Sequence, residues 1–496
     1  MAAVRDAHVG GPRQLGAGGP RHPAAAVATA IAAATAAVLP VFLAGAMAVQ
    51  LRHALHLGAT DIGIAVAAFF GTSALCSVSF GAVAERIGPL AVMRTAAALA
   101  LASMLVVAGF ARSLPSLATG LAIGGLANGA MQPAVNLFLS RTVRSRRQGL
   151  AFGVKQAGIP AATLLSGLAV PALALTVGWE AGFAAGAALV AAVGVVLVRT
   201  RQTPPGSGPP GDVRPAAATG IQAAATPAST TTPAPGTTTP APGTTTPAPG
   251  TTTPDVRTTV PATASGSNQA ASPRPRVDRL PLAVLAVGMG AAVAAATSMG
   301  SFVVASAVAH GVRPALAGLL SALGSAVGLT ARIGFGWNAD RRRHSGTLPG
   351  LRDLTMVATL LTTGILGYLA LASGRPALLV PGVLVAYGAG WGFNGLFNLA
   401  VVRSHPHAPA RATGITQVGT YLGGMGGPLA FGFLVDHSGY DAAWLMCAAL
   451  AATGAVTMAV ADRLLHRRQS AGCPEPAPGL AVRGDARSRS VPPPAP

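Results

Sequence analysis

Long apolar runs recur along the chain, and they limit what it can fold into more than any other feature. Each run reaches or exceeds the length of about 20 residues that a helix needs to cross the roughly 30 Å hydrocarbon core of a bilayer. They lie at residues 24–50, 60–83, 91–111, 114–139, 149–175, 179–198, 281–310, 314–337, 353–373, 376–402, 412–435 and 440–463. The sequence therefore predicts an all-α membrane protein of twelve transmembrane helices, with the lipid bilayer as its main solvent.

The arginines are distributed unevenly between the loops that join these spans. The formal net charge is +20, which in a soluble protein would suit nucleic-acid binding, but here the basic residues stand in short clusters between apolar runs. Loops after odd-numbered spans hold at most one arginine, such as Arg112, whereas the loop after the fourth span holds Arg141, Arg144, Arg146 and Arg147. Positive charge is retained in the cytoplasm. We therefore expect a multi-pass protein of the inner (plasma) membrane, with both termini cytoplasmic and no nucleic-acid partner.

A segment of different composition separates the sixth and seventh spans. It is rich in Pro, Thr, Ala and Gly, and it repeats the unit Thr-Thr-Thr-Pro-Ala-Pro-Gly three times. Such a segment cannot bury enough apolar surface to fold, so we predict a disordered cytoplasmic linker, with a glycosylated stalk as the alternative. The predicted parts are a cytoplasmic tail (1–23), a six-helix half (24–200), the linker (201–279), a second six-helix half (280–465) and a disordered cytoplasmic tail (466–496).

Short motifs of the first half recur at matching places in the second. The glycines and glutamine of residues 153–158 recur in residues 414–419, and the Gly-aromatic-acid-Ala motif of residues 178–183 recurs in residues 439–444 at the same offset. A shared offset indicates duplication of a whole half. Many transporters consist of two such repeats, related by an axis along the membrane normal.

A Gly-x-x-Ala-acid-Arg motif follows both the second and the eighth span. Its residues are Gly81, Glu85 and Arg86, then Gly336, Asp340 and Arg341. In combination with the duplicated halves, the motif resembles the signature of the major facilitator superfamily between its second and third helices, and the weaker copy between the eighth and ninth. The resemblance covers both six-span halves. It implies two pseudo-symmetric halves, as in bacterial transporters of that superfamily, with a small-molecule solute in a central cavity.

The resemblance also implies a role for the loop motifs in gating, because in related proteins this contact holds the cytoplasmic side closed. The candidates are Gly81, Glu85, Arg86 and Gly88, with Gly336, Asp340 and Arg341 in the second half. Arg332, late in the eighth span, joins them as a gating residue or part of a structural ion pair. The alternative is that these charges only set the topology.

Amide side chains recur along the fourth and tenth spans, which the resemblance places beside the central cavity. Asn128, Gln132 and Asn136 stand four residues apart and so share one helical face, as do Asn394 and Asn398. Amides in hydrocarbon are costly unless hydrogen-bonded, so these side chains should face the interior of the bundle. They either contact the solute or only hold the helices together.

Lys155 is the only lysine in the chain, and it lies a few residues inside the fifth span beside Gln156. A charge there is expensive unless it is paired or faces a water-filled cavity, where it would suit an anionic solute such as a small carboxylate. Its long stem could instead snorkel to the headgroups. Gln417, which matches Gln156 in the second half, completes the predicted solute-binding residues.

These features together predict a secondary active or facilitated transporter that moves a small solute, an organic anion if Lys155 faces the cavity, by alternating access. One alternative is an efflux carrier for a drug or secondary metabolite. Another is a non-transporting sensor or receptor with the same fold, which would bind a solute without flux. The sequence offers no nucleophile, metal cluster or paired intramembrane carboxylates, so we expect no enzymatic activity, cofactor or metal. We also expect the protein to be a monomer.

Overall fold

The computed structural model describes residues 23–143, 151, 154–200, 279–341, 349–405 and 409–471. Side chains are described within these ranges except at residues 23, 279, 339–341, 349–352, 409–411 and 467–471. Residues 1–22, 201–278 and 472–496 lie outside the described part, and with them most of the predicted linker and tails.

Helices α1 to α6 correspond to the first six apolar runs. α1 is Pro23–Ala46 with its continuation Ala48–Leu55, α2 is Ala59–Ile87, α3 is Pro89–Phe110, α4 is Leu114–Thr142, α5 is Gly158–Ala169 with the π-helical turn Val170–Ala174, and α6 is Trp179–Arg199. α2 ends at Gly88, whose φ of 95° suits glycine, and Pro89 begins α3 at a position where no backbone donor is needed.

Helices α7 to α12 correspond to the other six runs. α7 is Arg279–Ala309, α8 is Pro314–Arg341, α9 is Pro349–Ala372, and α10 comprises Pro376–Val385, the π-helical turn Ala386–Gly390 and Asn394–Ser404. α11 and α12 form one helical stretch, Pro409–Ala471, which Gly439 divides with a φ of 82° and a ψ of 175°.

Nine helical stretches in the described ranges are long and apolar enough to span a membrane. The pair α11 and α12 counts as one of these, α5 is a shorter apolar helix, and α4 is made less apolar by its three amides. The predicted fold class, an all-α membrane protein with twelve spans in two halves, is confirmed.

The two halves meet where α1 packs against α7 and along two further, equivalent lines of contact, which we call the α2–α11 seam and the α5–α8 seam. Small residues allow the close approach in both. A Cβ added at Gly63 of α2 would lie 3.0 Å from the Cα of Leu429 in α11, and one added at Gly167 of α5 would lie 2.7 Å from the carbonyl oxygen of Gly318 in α8. Larger side chains at these positions would force the halves apart.

Candidate functional site

The side chain of Lys155 lies inside the bundle and begins a chain of hydrogen bonds. The residue is 5% exposed, and its Nζ donates to Oε1 of Gln132 at 2.5 Å. Nε2 of Gln132 donates to Oδ1 of Asn128 at 3.1 Å, and Nδ2 of Asn128 donates to Oγ of Ser73 at 3.1 Å. We call these four side chains the Lys155 network. It connects the residues that lead into α5 with α4 and α2.

Local packing fixes the orientation of the two amides in this network. Asn128 and Gln132 lie one above the other on α4 because they are four residues apart. Gly129, between them, lets α2 approach, since a Cβ there would lie 2.7 Å from the carbonyl oxygen of Ser73. Both amide oxygens accept and both amide nitrogens donate. Every hydrogen bond therefore runs in the same direction, from the ammonium group toward α2.

The ammonium group has capacity left for a further acceptor. It carries three N–H donors, and Gln132 is its acceptor within the described ranges. The amine does not reach away from the bundle, as a snorkelling side chain would, because its acceptor lies on α4. This geometry favours contact with a solute over snorkelling to the headgroups as the role of Lys155.

Arg332 of α8 reaches the same region from the opposite half. It is 4% exposed, its Nη1 donates to the carbonyl oxygen of Gln156 at 2.9 Å, and its Nη2 donates to the carbonyl oxygen of Trp391 at 2.9 Å. Its guanidinium carbon lies 5.6 Å from the centroid of the Trp391 ring. Arg332 thus joins α8 to α5 and α10 through carbonyls, rather than through a carboxylate in the described part of the chain.

Irregular backbone supplies both of these acceptors. The carbonyl of Gln156 lies four residues before Pro160, which has no N–H to donate to it. Trp391 lies in the turn between the π-helical part of α10 and the helix that resumes at Asn394. Orphan carbonyls need donors in a low-dielectric interior, and the guanidinium group provides two of them.

Lys155 and Arg332 place two positive charges in the interior, and neither forms an ion pair with an acid among the described side chains. Among the described side chains, the ion pairs of the carboxylates lie toward helix ends: Asp353 with Arg403 at 2.6 Å, Asp441 with His310 at 3.2 Å, and Asp436 near Arg52 at 4.0 Å. Charge that is not compensated in a low-dielectric interior attracts an anion strongly. The region can therefore bind an anion.

The other predicted solute-binding residues differ in how deeply their side chains are buried. Asn394 is buried, and its Oδ1 has no hydrogen-bond partner among the described atoms. Gln156 and Asn398 are half-buried, whereas Asn136 and Gln417 are exposed. The structure thus brings Asn128, Gln132 and Lys155 together, and it involves Gln156 through its backbone. Within the described ranges, no hydrogen bond joins Asn136 or Asn398 to the Lys155 network.

The predicted gating residues lie at the ends of α2 and α8. Glu85 and Arg86 are exposed in the last turn of α2, which follows Gly81 and ends at Gly88. In α8, Gly336 is half-buried, while the side chains of Asp340 and Arg341 lie outside the described part. Gating by these residues stays a prediction.

Three important residues were missed by sequence reasoning. Ser73 is one of many small residues in an apolar run, and nothing in the sequence distinguishes it. Trp391 acts through its backbone carbonyl and ring. The buried Asp353 could have been found, because an acid at the start of an apolar run requires a partner, which Arg403 provides.

A second contact between the halves lies at the end of the bundle that holds the loops after the odd-numbered spans. We call this end of the bundle the outer end. Asp436 of α11 accepts from the backbone N–H groups of Ala59 and Thr60 at 2.9 and 2.7 Å, and from Oγ1 of Thr60 at 2.6 Å. Nη1 of Arg52 donates to the hydroxyl of Tyr440 at 3.3 Å. A carboxylate at the start of α2 also complements the helix dipole. We call this group of residues the outer clasp.

Replacing Asp436 with alanine is expected to shift the equilibrium toward separation of the outer ends by about tenfold, since three hydrogen bonds to a charged acceptor are lost. The change is measured by double electron–electron resonance, as the distance between spin labels at Arg112→Cys and Arg375→Cys on opposite halves. Asp441→Ala is the matched control, because its partner His310 belongs to the same half. Equal distance distributions in the two variants would contradict the role of the clasp.

Comparisons with known proteins agree with this architecture. A family model described as Major Facilitator Superfamily matches residues 25–351 and 287–491. No curated protein matches the chain by sequence. Two solved structures of a bacterial homolog of the human lysosomal transporter Spinster are similar to it. The inward-facing, unoccupied one has 13% identity and a TM-score of 0.64, with 91% of this chain and 99% of that chain covered. The inward-facing, occupied one has 12% identity and a TM-score of 0.56, with coverages of 90% and 96%.

Proposed function

The chain belongs to the major facilitator superfamily and is a membrane transporter, and from this premise we propose that it moves a small organic anion by alternating access. The observation that supports the anion is Lys155. Its ammonium group is buried, hydrogen-bonded to a neutral amide, and has no carboxylate partner in the described ranges. A solute carboxylate supplies the charge that this position lacks.

Binding uses the free donors of the ammonium group. A carboxylate accepts charge-assisted hydrogen bonds from Nζ, and these are about twice as strong as bonds between neutral groups. Gln132 and Asn128 hold the amine in place, because each amide uses its oxygen and its nitrogen within the Lys155 network. A neutral solute of the same shape gains only ordinary hydrogen bonds, so the site selects for negative charge.

Alternating access follows from the way the halves meet. The two halves rock about the central site, so that the α2–α11 and α5–α8 seams separate at one end of the bundle while the opposite end of the bundle stays closed. The outer clasp holds the outer end, and the loop motifs with Glu85 and Asp340 hold the inner end when it closes. Solute bound at Lys155 is thereby exposed to one side of the membrane at a time.

The arginine distribution supports a plasma-membrane location with both termini cytoplasmic, and we propose that the protein acts as a monomer. In this orientation the outer end faces the extracytoplasmic side. A membrane-impermeant thiol reagent added outside intact cells then labels Arg112→Cys. Labelling of this position only from the cytoplasmic side would reverse the topology.

The proposed function is tested by flux in proteoliposomes with matched charged and neutral solutes. We expect uptake of at least one of lactate, succinate and inorganic phosphate, and uptake of lactamide and succinamide that is slower by about tenfold to a hundredfold, the effect of losing a charge-assisted hydrogen bond. Equal uptake of carboxylate and amide would contradict an anion carrier. Binding of these anions without flux would favour the sensor, and flux of cationic drugs alone would favour the efflux carrier.

A further inference from the structure

Two aromatic rings from opposite halves meet in the centre of the bundle. The ring of Phe42 in α1 lies 5.6 Å from that of Trp391 in α10, measured between centroids, and both residues are 2% exposed. Gly300 of α7 leaves space for them, because a Cβ there would lie 2.8 Å from Cη2 of Trp391 and 2.9 Å from Cε1 of Phe42. We call Phe42, Gly300 and Trp391 the aromatic contact.

The position of the aromatic contact along the helices places it between the Lys155 network and the outer end. Gly300 lies nine residues before Ala309, the outer end of α7, or about 13 Å at 1.5 Å per residue. Gln132, the acceptor of Lys155, lies 18 residues after Leu114, the outer start of α4, or about 27 Å. A solute that moves between Lys155 and the outer end therefore passes the level of the two rings.

The backbones of α1 and α7 also meet beside the rings. A Cβ added at Gly45, three residues beyond Phe42 toward the outer end, would lie 2.6 Å from the Cα of Ser301 in α7. The two apolar rings and this backbone contact exclude water, and a hydrated anion would lose its water in passing them. The outer side of the solute region is thus closed well below the outer clasp.

Neighbours in the second half hold Trp391 in this position. Tyr387 packs against its ring at 5.6 Å, and the guanidinium carbon of Arg332 lies 5.6 Å from the ring centroid. The hydrogen bond from Arg332 to the carbonyl of Trp391 fixes the backbone as well. Trp391 lies in the turn that interrupts α10, with a φ of −121° and a ψ of −15°, so a few dihedral angles are enough to move its ring.

We propose that Phe42 and Trp391 form a gate on the outer side of the solute region, and that Arg332 positions the Trp391 ring in the closed state. The inference rests on the proposed alternating access and names the residues that seal one side of the site. When the halves separate at the outer end, Phe42 leaves with the first half, while Trp391 stays with Arg332 in the second. The path from outside to Lys155 is then open.

The gate is tested by the access of an external reagent to a cysteine at position 155. The native cysteines are first replaced with serine: Cys76, Cys447 and Cys473. Intact cells that express Lys155→Cys are treated with a membrane-impermeant methanethiosulfonate bearing a sulfonate group, and the labelling rate is measured from the mass of the purified protein. Arg112→Cys shows that the reagent reaches the outer end. Asn394→Cys is the second target if the first is not recovered.

Variants of the aromatic contact are expected to raise the labelling rate. Phe42→Ala is expected to raise it by about tenfold, which corresponds to about 1.4 kcal/mol, because an aromatic contact made only in the closed state is lost. Gly300→Ala acts in the same direction, since its methyl group displaces a ring in the closed state. Phe42→Leu keeps apolar bulk and is expected to show a smaller increase than Phe42→Ala.

Two comparisons separate the gate from a general loosening of the bundle. Phe183→Ala is the matched control, because this ring is also fully buried but its partner Trp179 lies on the same helix, so the contact exists in both states. Its labelling is expected to stay within about twofold of the parent. Arg332→Gln is expected to raise the rate by about threefold as the ring loses its cation, whereas Arg332→Lys stays closer to the parent.

The outcomes distinguish the gate from the function on which it rests. Labelling that Phe42→Ala and Gly300→Ala leave unchanged, in protein that elutes as a single species, overturns the gate. An equal increase in Phe183→Ala overturns it as well. A parental rate in Arg332→Gln overturns the role of Arg332. Labelling needs no flux, so faster labelling without transport of any anion supports the gate and removes the proposed anion carrier.

Discussion

Uptake of the transported anion is expected to fall by about tenfold to a hundredfold when Lys155 is replaced with glutamine. A glutamine side chain is of similar length to lysine and can still donate a hydrogen bond to Gln132, but it carries no charge. The Lys155 network therefore keeps its hydrogen bond, whereas the solute loses a charge-assisted one. The measurement is the initial rate of uptake of lactate, succinate and phosphate into proteoliposomes, normalised to the amount of folded protein.

Two further variants control this experiment. Lys155→Arg keeps the charge and is expected to retain more uptake than Lys155→Gln. Arg94→Gln removes a positive charge that also bonds a carbonyl, that of Leu197 at 3.0 Å, but lies in the contact between α3 and α6. Its uptake is expected to stay near that of the wild type. If Lys155→Gln transports within twofold of the wild type, the lysine has a structural role only.

Replacing Gly427 with leucine is expected to prevent recovery of folded protein, whereas the same change at the neighbouring Gly426 is tolerated. A Cβ at Gly427 would lie 2.6 Å from the Cα of Ala294 and 2.7 Å from its carbonyl carbon, so the backbone of α7 would have to move. A Cβ at Gly426 meets nothing within 4 Å. Overpacking against backbone costs about 1–3 kcal/mol or more.

The pair is measured by the yield of monodisperse protein in detergent and by its thermal transition. Gly426→Leu is expected to match or exceed the wild type, because leucine favours a helix over glycine by up to about 1 kcal/mol. Because the two glycines are adjacent on α11, a general effect of leucine on insertion would affect both. Equal loss of both variants would show that contact with α7 is not the cause.

The spans could be predicted because their signal is local. A run of about 20 apolar residues is enough to define a membrane helix, and most helices begin and end within a few residues of the predicted runs. The exceptions are α5, which begins at Gly158 rather than near residue 149, and α12, which continues to Ala471 rather than ending near residue 463. Gly439 was correctly placed between the last two runs. The shared face of Asn128 and Gln132 also followed from spacing alone, because both lie on one helix.

The partners of the site residues could not be predicted, because they depend on how separate helices rotate and approach. The acceptor of Lys155 lies on α4, and the acceptors of Arg332 lie just before α5 and in the turn within α10. One of these had a sequence signal: Pro160 leaves the carbonyl of Gln156 without its helical donor. An orphan carbonyl in a membrane helix requires a donor from elsewhere, and few basic residues lie within the spans to provide it.

The corner at Gly439 has a mechanical consequence. A single residue with non-helical dihedral angles separates α11 from α12, so there is no loop between them to absorb a displacement. Trp444, just after the corner, donates to Oγ of Ser306 in α7 at 2.8 Å and so anchors the start of α12. In the proposed rocking motion α11 tilts away from α2, and this displacement must either change the dihedral angles of Gly439 or move α12 with it. We therefore expect α11 and α12 to move as one stiff hairpin that bends at Gly439.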